Sequence, residues 1–314
     1  MVSKDKSINI VCNINDAYVQ HCGVMLCSLF MNNKDEHFKV HILHFSISKQ
    51  SQSILADFVR SFGNEIYFYQ VGKLGFELPN LNGHYISAET YLRLLITDYV
   101  PNEINKILYL DVDMAVMGSI RELIDTNMEN FLLGAIQDSP NQLRQERLNI
   151  PQENGYFNAG VLLLNLAYWR EHHITEKSIA FIKEHPEKIR QHDQDVLNVV
   201  SEGHWKRIPY KWNMMNTFFF RKPVVEEQHI EELVECKKDV RIAHFSGGVK
   251  PWMAWEKHPY HKEYYKYLAF TPWKGYKPSL AQQWKSYKFP RNILSVLHID
   301  RILFYIYRNS KNSL

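Results

Sequence analysis

The chain has 314 residues, 45% hydrophobic and 23% charged, a composition that fits a globular protein long enough to bury a core. A formal net charge of +3 gives no argument for a nucleic-acid partner, and no run of about 18 apolar residues offers a membrane-spanning helix. Cys12, Cys22, Cys27 and Cys236 include no C-x-x-C pair, and the N-terminus lacks the apolar stretch of a secretory signal. Both features predict a thiol protein of the reducing cytoplasm, not a disulfide or zinc scaffold.

In chain order, residues 8–13, 37–45, 64–71 and 106–111 are short apolar or alternating runs that predict strands. Between them, 17–31 and 49–62 carry apolar residues at helical spacing, such as Val19, Cys22, Leu26 and Leu29 in the first. This alternation predicts an α/β fold with crossover connections and a parallel, doubly wound sheet. Residues 87–100 predict a helix capped by Ser87 and stopped before Pro101. Buried strands are predicted over 131–138 and 157–166, helices over 168–185 and 194–202, and a last core strand over 240–248 that runs into a glycine turn. The tail, 280–314, holds six Lys or Arg against one Asp, with Leu294, Leu297, Ile302 and Tyr305 near one helical face. A basic, aromatic, amphipathic segment suits a bilayer interface, and it equally suits a helix that caps the domain.

"YLDVDMAV" sets Asp111 and Asp113 at the end of an apolar strand, where carboxylates are disfavoured. In open α/β sheets ligands lie beyond the carboxyl ends of strands. Two carboxylates there repel unless a cation sits between them, and a hard divalent ion brings phosphate oxygens as co-ligands. A D-x-D pair by itself also serves as an ordinary cap or turn. "HFSGGVKPW" adds His244 at a strand end, Gly247 and Gly248 for close backbone approach, and Lys250 to meet a phosphate. Two Asp and a His favour Mn²⁺ over Mg²⁺, because imidazole is the softer ligand. "QHDQDVLN" puts Asp193 and Gln194 at a helix start, and "YFNAGVLLLNL" interrupts an apolar strand with Asn158 and Gly160. The chain has neither G-x-x-x-x-G-K-[ST] nor a G-x-G-x-x-G after its first strand, which argues against a P-loop or a dinucleotide Rossmann site.

These four motifs, in this order, resemble glycosyltransferase family 8, and the resemblance runs from about residue 8 to about residue 255. It implies a GT-A fold, a Rossmann-like mixed, mostly parallel sheet with a small second sheet. The expected domain limits are 1–265 for the catalytic domain and 266–314 for a C-terminal helical extension. It also implies a retaining transfer of hexose, galactose before glucose, from a UDP-sugar with Mn²⁺ (Mg²⁺ as second choice). The acceptor would be a lipid-linked cell-surface glycan or a glycoprotein glycan, at a cytoplasmic site on the inner face of the membrane. Asp111, Asp113 and His244 match metal ligands, and Gly247 and Lys250 match diphosphate contacts. Arg93 matches a donor contact with Thr90 beside it, and Tyr18 and Val112 fall in the donor site. Asn158 and Ala159 match the sugar pocket. Asp138 and Asp193 match carboxylates that hold sugar hydroxyls, and Gln194 matches the residue on the face where a nucleophile would sit. Asn13 and Ile14 are expected to line the uracil pocket. The first-strand motif usually ends in Asp, whereas here Asn15 stands at that place with Asp16 next to it. Tyr85 stands where some relatives carry His. Two other classes compete with a transferase: a catalytically silent UDP-sugar binding protein, and a D-x-D phosphohydrolase. The latter needs a Thr or Ser turn that "DVDMAVMG" lacks.

Overall fold

A computed structural model describes residues 7–78, 88–253 and 258–277. Tyr85, Ser87 and the basic tail lie outside the described residues. Seven strands form the main sheet: β1 (Ile8–Asn13), β2 (Phe38–His44), β3 (Glu65–Gln70), β4 (Lys106–Leu110), β6 (Leu133–Ala135), β7 (Val161–Asn165) and β8 (Trp205–Arg207). The spatial order is β3-β2-β1-β4-β7-β6-β8. β5 (Met114–Val116), β9 (Met214–Met215) and β10 (Ile242–His244) form a second, three-stranded sheet in the order β5-β10-β9.

The strand pattern builds two cores, one on each face of the main sheet. Along β4, Leu108 and Leu110 join the larger cluster, while Ile107 and Tyr109 join the other. β2 is buried almost throughout because both its faces are covered. The helix Val19–Met31 packs in the larger cluster with Lys49–Ser61. That second helix starts where expected, because the Ser48 hydroxyl accepts the Ser51 N–H at 3.1 Å and the Asp16 carboxylate takes the Ser48 N–H at 2.8 Å.

The observed elements differ in detail from what the residue pattern alone predicts. β1 to β4 are parallel and β7 runs antiparallel to both β4 and β6, so the sheet is mixed and mostly parallel, as the family resemblance implies and the strand–helix alternation alone does not. The strand before the glycine turn pairs antiparallel with β5 in the small sheet and lies outside the main one. Most of 88–99 is 3₁₀ helix, Ala88–Leu95, and only Ile96–Tyr99 is α-helical. Residues 168–185 form no single helix. His173 takes a left-handed conformation (φ 54°) and separates Leu166–Glu171 from Ile174–Glu184. The helix His261–Leu268 runs across the expected boundary at residue 265, and its Tyr264, Tyr267 and Leu268 are buried in the larger cluster.

Candidate active site

The site lies where the two sheets meet. Asp111 leaves β4 with its N–H bonded to the Gly160 carbonyl at 2.9 Å, while the Asp113 carbonyl accepts the Phe245 N–H at 2.9 Å. The chain thus passes from one sheet to the other between the two carboxylates, and His244 ends the strand beside them. Ligand atoms of Asp111, Asp113 and His244 lie within 4.8 Å of one another.

Each of these side chains has one atom engaged and one turned inward. Asp111 Oδ1 accepts from Tyr109 Oη at 2.7 Å and Arg93 Nη2 at 3.0 Å. Asp113 Oδ2 pairs with Lys250 Nζ at 2.5 Å. The remaining oxygens face His244 Nε2, at 3.9 Å for Asp111 Oδ2 and 3.4 Å for Asp113 Oδ1. Burial pushes the Asp113 carboxyl upward, but Lys250 and His244 outweigh it and hold the group well below the usual range. Burial likewise opposes the charge on Lys250, and Asp113 more than restores it. Two oxygens and an imidazole nitrogen that converge on one point suit a divalent cation.

Arg93 joins this group to the next. It is 5% exposed, and its Nε meets Asp193 Oδ2 at 2.9 Å while its Nη1 donates to the Ala159 carbonyl at 2.5 Å. Its guanidinium also lies over the Tyr109 ring, 4.2 Å from the centroid. Thr90 donates to the other Asp193 oxygen. Burial raises the Asp193 carboxyl to about 6, against the lowering effect of Arg93 and Thr90. Asn158 Nδ2 and the Ala159 N–H both donate to Gln194 Oε1, at 3.1 and 3.0 Å, and Gln194 Nε2 donates to Asp138 Oδ2 at 2.9 Å. Gly160 is required here, because a Cβ would come within 2.5 Å of the His244 ring.

The remaining predicted residues are less tightly joined. Asn13 ends β1, two residues past the register pair Val11↔Tyr109, and both its amide atoms are buried without a hydrogen-bond partner. An orphaned amide at a strand's carboxyl end suits a base edge. Asn15 Nδ2 reaches Glu89 Oε2 at 3.5 Å, and Asp16 turns away to Ser48. The side chains of Ile14 and Val112 pack in the larger core, so only their backbone is left to meet a ligand. Tyr18 packs edge-on against Trp252, two residues beyond Lys250. The Gly247 N–H lies 3.4 Å from Asn216 Oδ1, and a Cβ on Gly248 would meet open space.

Several partners escaped the sequence reading. Arg144 lies 3.3 Å from Asp138 and over the Tyr156 ring. Asp195, fully buried, accepts from Tyr156, Arg147 and the backbone of Arg190 and Gln191, and so fixes the turn before Gln194. Asn213 bonds His244 Nδ1. The signal available for Asn213 was a polar residue amid "YKWNMMN", the same kind of interruption that marked Asn158.

The family model Glycosyl transferase family 8 matches residues 9–256. General stress protein A of Bacillus subtilis (strain 168) is 31% identical over 276 residues, covering 86% of this chain and 96% of that protein. A lipopolysaccharide 1,3-galactosyltransferase of Salmonella typhimurium is 27% identical over 84% of this chain and 79% of its own length. A crystal structure of the galactosyltransferase LgtC with donor and acceptor sugar analogs superposes with a TM-score of 0.76 at 26% identity, covering 89% of this chain and 99% of that one. With its mixed GT-A sheet and its D-x-D and histidine cluster in place, the chain belongs to glycosyl transferase family 8 and is a glycosyltransferase.

Proposed function

We propose that this enzyme is a Mn²⁺-dependent, retaining hexosyltransferase that moves galactose, with glucose second, from a UDP-sugar to a cell-surface glycan at the inner face of the membrane. The observation that carries the reading is the convergence of Asp111 Oδ2, Asp113 Oδ1 and His244 Nε2, each with its opposite atom held by the protein. Lipopolysaccharide galactosyl- and glucosyltransferases among the relatives support a hexose donor and the acceptor class.

Asp111, Asp113 and His244 would hold the metal, which when bound supplies Lewis-acid stabilisation of a leaving diphosphate. Lys250, beside Asp113, and the N–H groups of the Ser246–Val249 turn bring positive potential to the same charge. Asn13 and Asn15 at the end of β1 offer amides to uracil. Asp138 and Asp193 orient sugar hydroxyls, and Arg93 keeps Asp193 in place.

Retention needs either a covalent intermediate or attack from the face the phosphate leaves. Gln194 Oε1 already accepts two N–H groups, and the buried Asp193 carboxylate is held by Arg93 and Thr90, so neither is presented as an exposed nucleophile. This supports front-face attack, with the leaving phosphate taking the acceptor's proton. Gln194 then serves to shape the sugar site.

The test is UDP release from a panel of UDP-sugars, with and without Mn²⁺, using water as acceptor. Mn²⁺-dependent release from UDP-galactose above UDP-glucose is expected. Metal-independent release, or UDP binding with no release from any sugar even with glycan acceptors added, overturns the reading.

A further inference from the structure

We propose that Asn213 is the positioning residue of His244, and that it couples this ligand to the sugar pocket through a one-directional chain of amides. The inference rests on the metal-site reading above. Asn213 is fully buried in the turn before β9, which pairs with the strand carrying His244. Its Oδ1 lies 2.8 Å from His244 Nδ1, and its Nδ2 donates to Asn158 Oδ1 at 2.8 Å.

The direction of the chain follows from two donors that cannot reverse. The Gly160 N–H bonds Asn158 at 3.0 Å, so the atom it meets is the amide oxygen. The Ala159 N–H bonds Gln194 at 3.0 Å and fixes that amide in the same way. Asn213 must then present its NH₂ to Asn158 and its oxygen to His244. The imidazole therefore donates from Nδ1, and Nε2 is the nitrogen that faces Asp111 and Asp113. Onward, Asn158 donates to Gln194, and Gln194 donates to Asp138. From His244 to Asp138 every side-chain link points the same way, and reversing one amide would set like groups against each other at both of its ends.

The ring of His244 has no room to choose otherwise. Gly160 lies against its Cε1 and Nδ1 so closely that a methyl group would collide, and the residue is 3% exposed. A ligand nitrogen so held needs no reorientation when a cation arrives, and the amide that holds it also sets the polarity of the sugar-facing Gln194.

The experiment reads tautomer and metal affinity. Protein with ¹⁵N-labelled histidine gives a long-range ¹H–¹⁵N spectrum, with His244 assigned by difference against His244→Gln. Metal-free parent protein should show a proton on Nδ1 whether or not Nε2 also carries one, and a neutral ring protonated at Nε2 alone overturns the proposal. Mn²⁺ affinity is then read by EPR in the presence of UDP. Asn213→Ala should weaken Mn²⁺ binding by roughly 10–100-fold. Asn213→Asp keeps the acceptor for Nδ1 but opposes Asn158 Oδ1 with a second oxygen. It should hold Mn²⁺ within a few-fold of parent yet lose turnover. A folded Asn213→Ala with parental Mn²⁺ affinity refutes the positioning role, and Asn213→Asp with parental turnover refutes the coupling. If Asn213→Ala fails to fold, the Asp variant and the parent spectrum still decide. Absence of Mn²⁺ binding in the parent would instead sink the metal reading, while the metal-free spectrum continues to test Asn213.

Discussion

The metal side and the sugar side of this site are built on opposite rules. On the metal side, Asp111 and Asp113 each commit one oxygen to a protein donor and leave the other turned to a shared point. On the sugar side, Gln194 spends its oxygen on two N–H groups and its NH₂ on Asp138 and Tyr156, and both oxygens of Asp193 are taken. An unfilled valence marks where a ligand is to be bound, and a filled one marks a group that holds shape. The same residue types thus do different work on either side of Arg93, which touches both.

Removing Arg93 breaks that contrast most severely. Arg93→Met leaves the Asp193 carboxylate buried without its cation and leaves Asp111 Oδ1 with Tyr109 alone, so stability should fall by roughly 3–5 kcal/mol and UDP release should cease. Urea denaturation beside the UDP assay reads both. Loss of activity at parental stability would mean that the pair is solvated in solution.

Next comes a change confined to the metal side. Asp113→Ala removes one ligand oxygen but leaves Lys250 its bond to the Phe245 carbonyl, so the fold should persist. Turnover at limiting Mn²⁺ should fall by about 100-fold or more, the scale of several kcal/mol that a positioned cation supplies. Full activity there would show that the carboxylates only cap a turn. On the sugar side, Gln194→Ala should cost less, roughly 10–100-fold in kcat, as a lost positioning contact does. Complete loss of turnover would instead favour Gln194 or its neighbour as a covalent nucleophile.

The contrast also explains what could be read from the residues alone. Asp111, Asp113 and His244 announce themselves because a carboxylate or an imidazole at the end of an apolar strand is locally unfavourable and needs a reason. Asn213 obeys the same logic, but the run it interrupts, "YKWNMMN", is a short aromatic and Met turn and not a long apolar strand, so the interruption stands out less. The direction of β7 was hidden because its run "VLLLN", buried on both faces, reads the same in either orientation. The small sheet is implied by the family resemblance, but its membership could not be read, since three residues of "IAH" carry too little pattern to say which sheet they join. Gly160 was visible only as an oddity, and its cause is the His244 ring more than eighty residues away.

The smallest effect separates the site from its scaffold by pH. Burial lowers His21 to about 3 and His41 and His258 to about 4, so each is held neutral in the fold. The unfolded chain takes up these protons near 6.5 and the folded chain does not, so the stability these histidines contribute is lost as pH falls. Asp193 has the opposite sign. Its folded value of about 6 lies above the unfolded one, so between about 6 and 4 the folded chain holds the extra proton and gains stability on acidification. Burial lowers His44 and His229 as well, while Asp98 is raised like Asp193, so the histidine losses outweigh the carboxyl gains and the parent should weaken on acidification between pH 6 and 5. Asp193→Asn removes one opposing term, so its urea midpoint should fall more steeply than the parent's over that interval. Parallel slopes would mean that Arg93 and Thr90 keep Asp193 ionised throughout, and that the sugar side, like the metal side, carries a permanent charge.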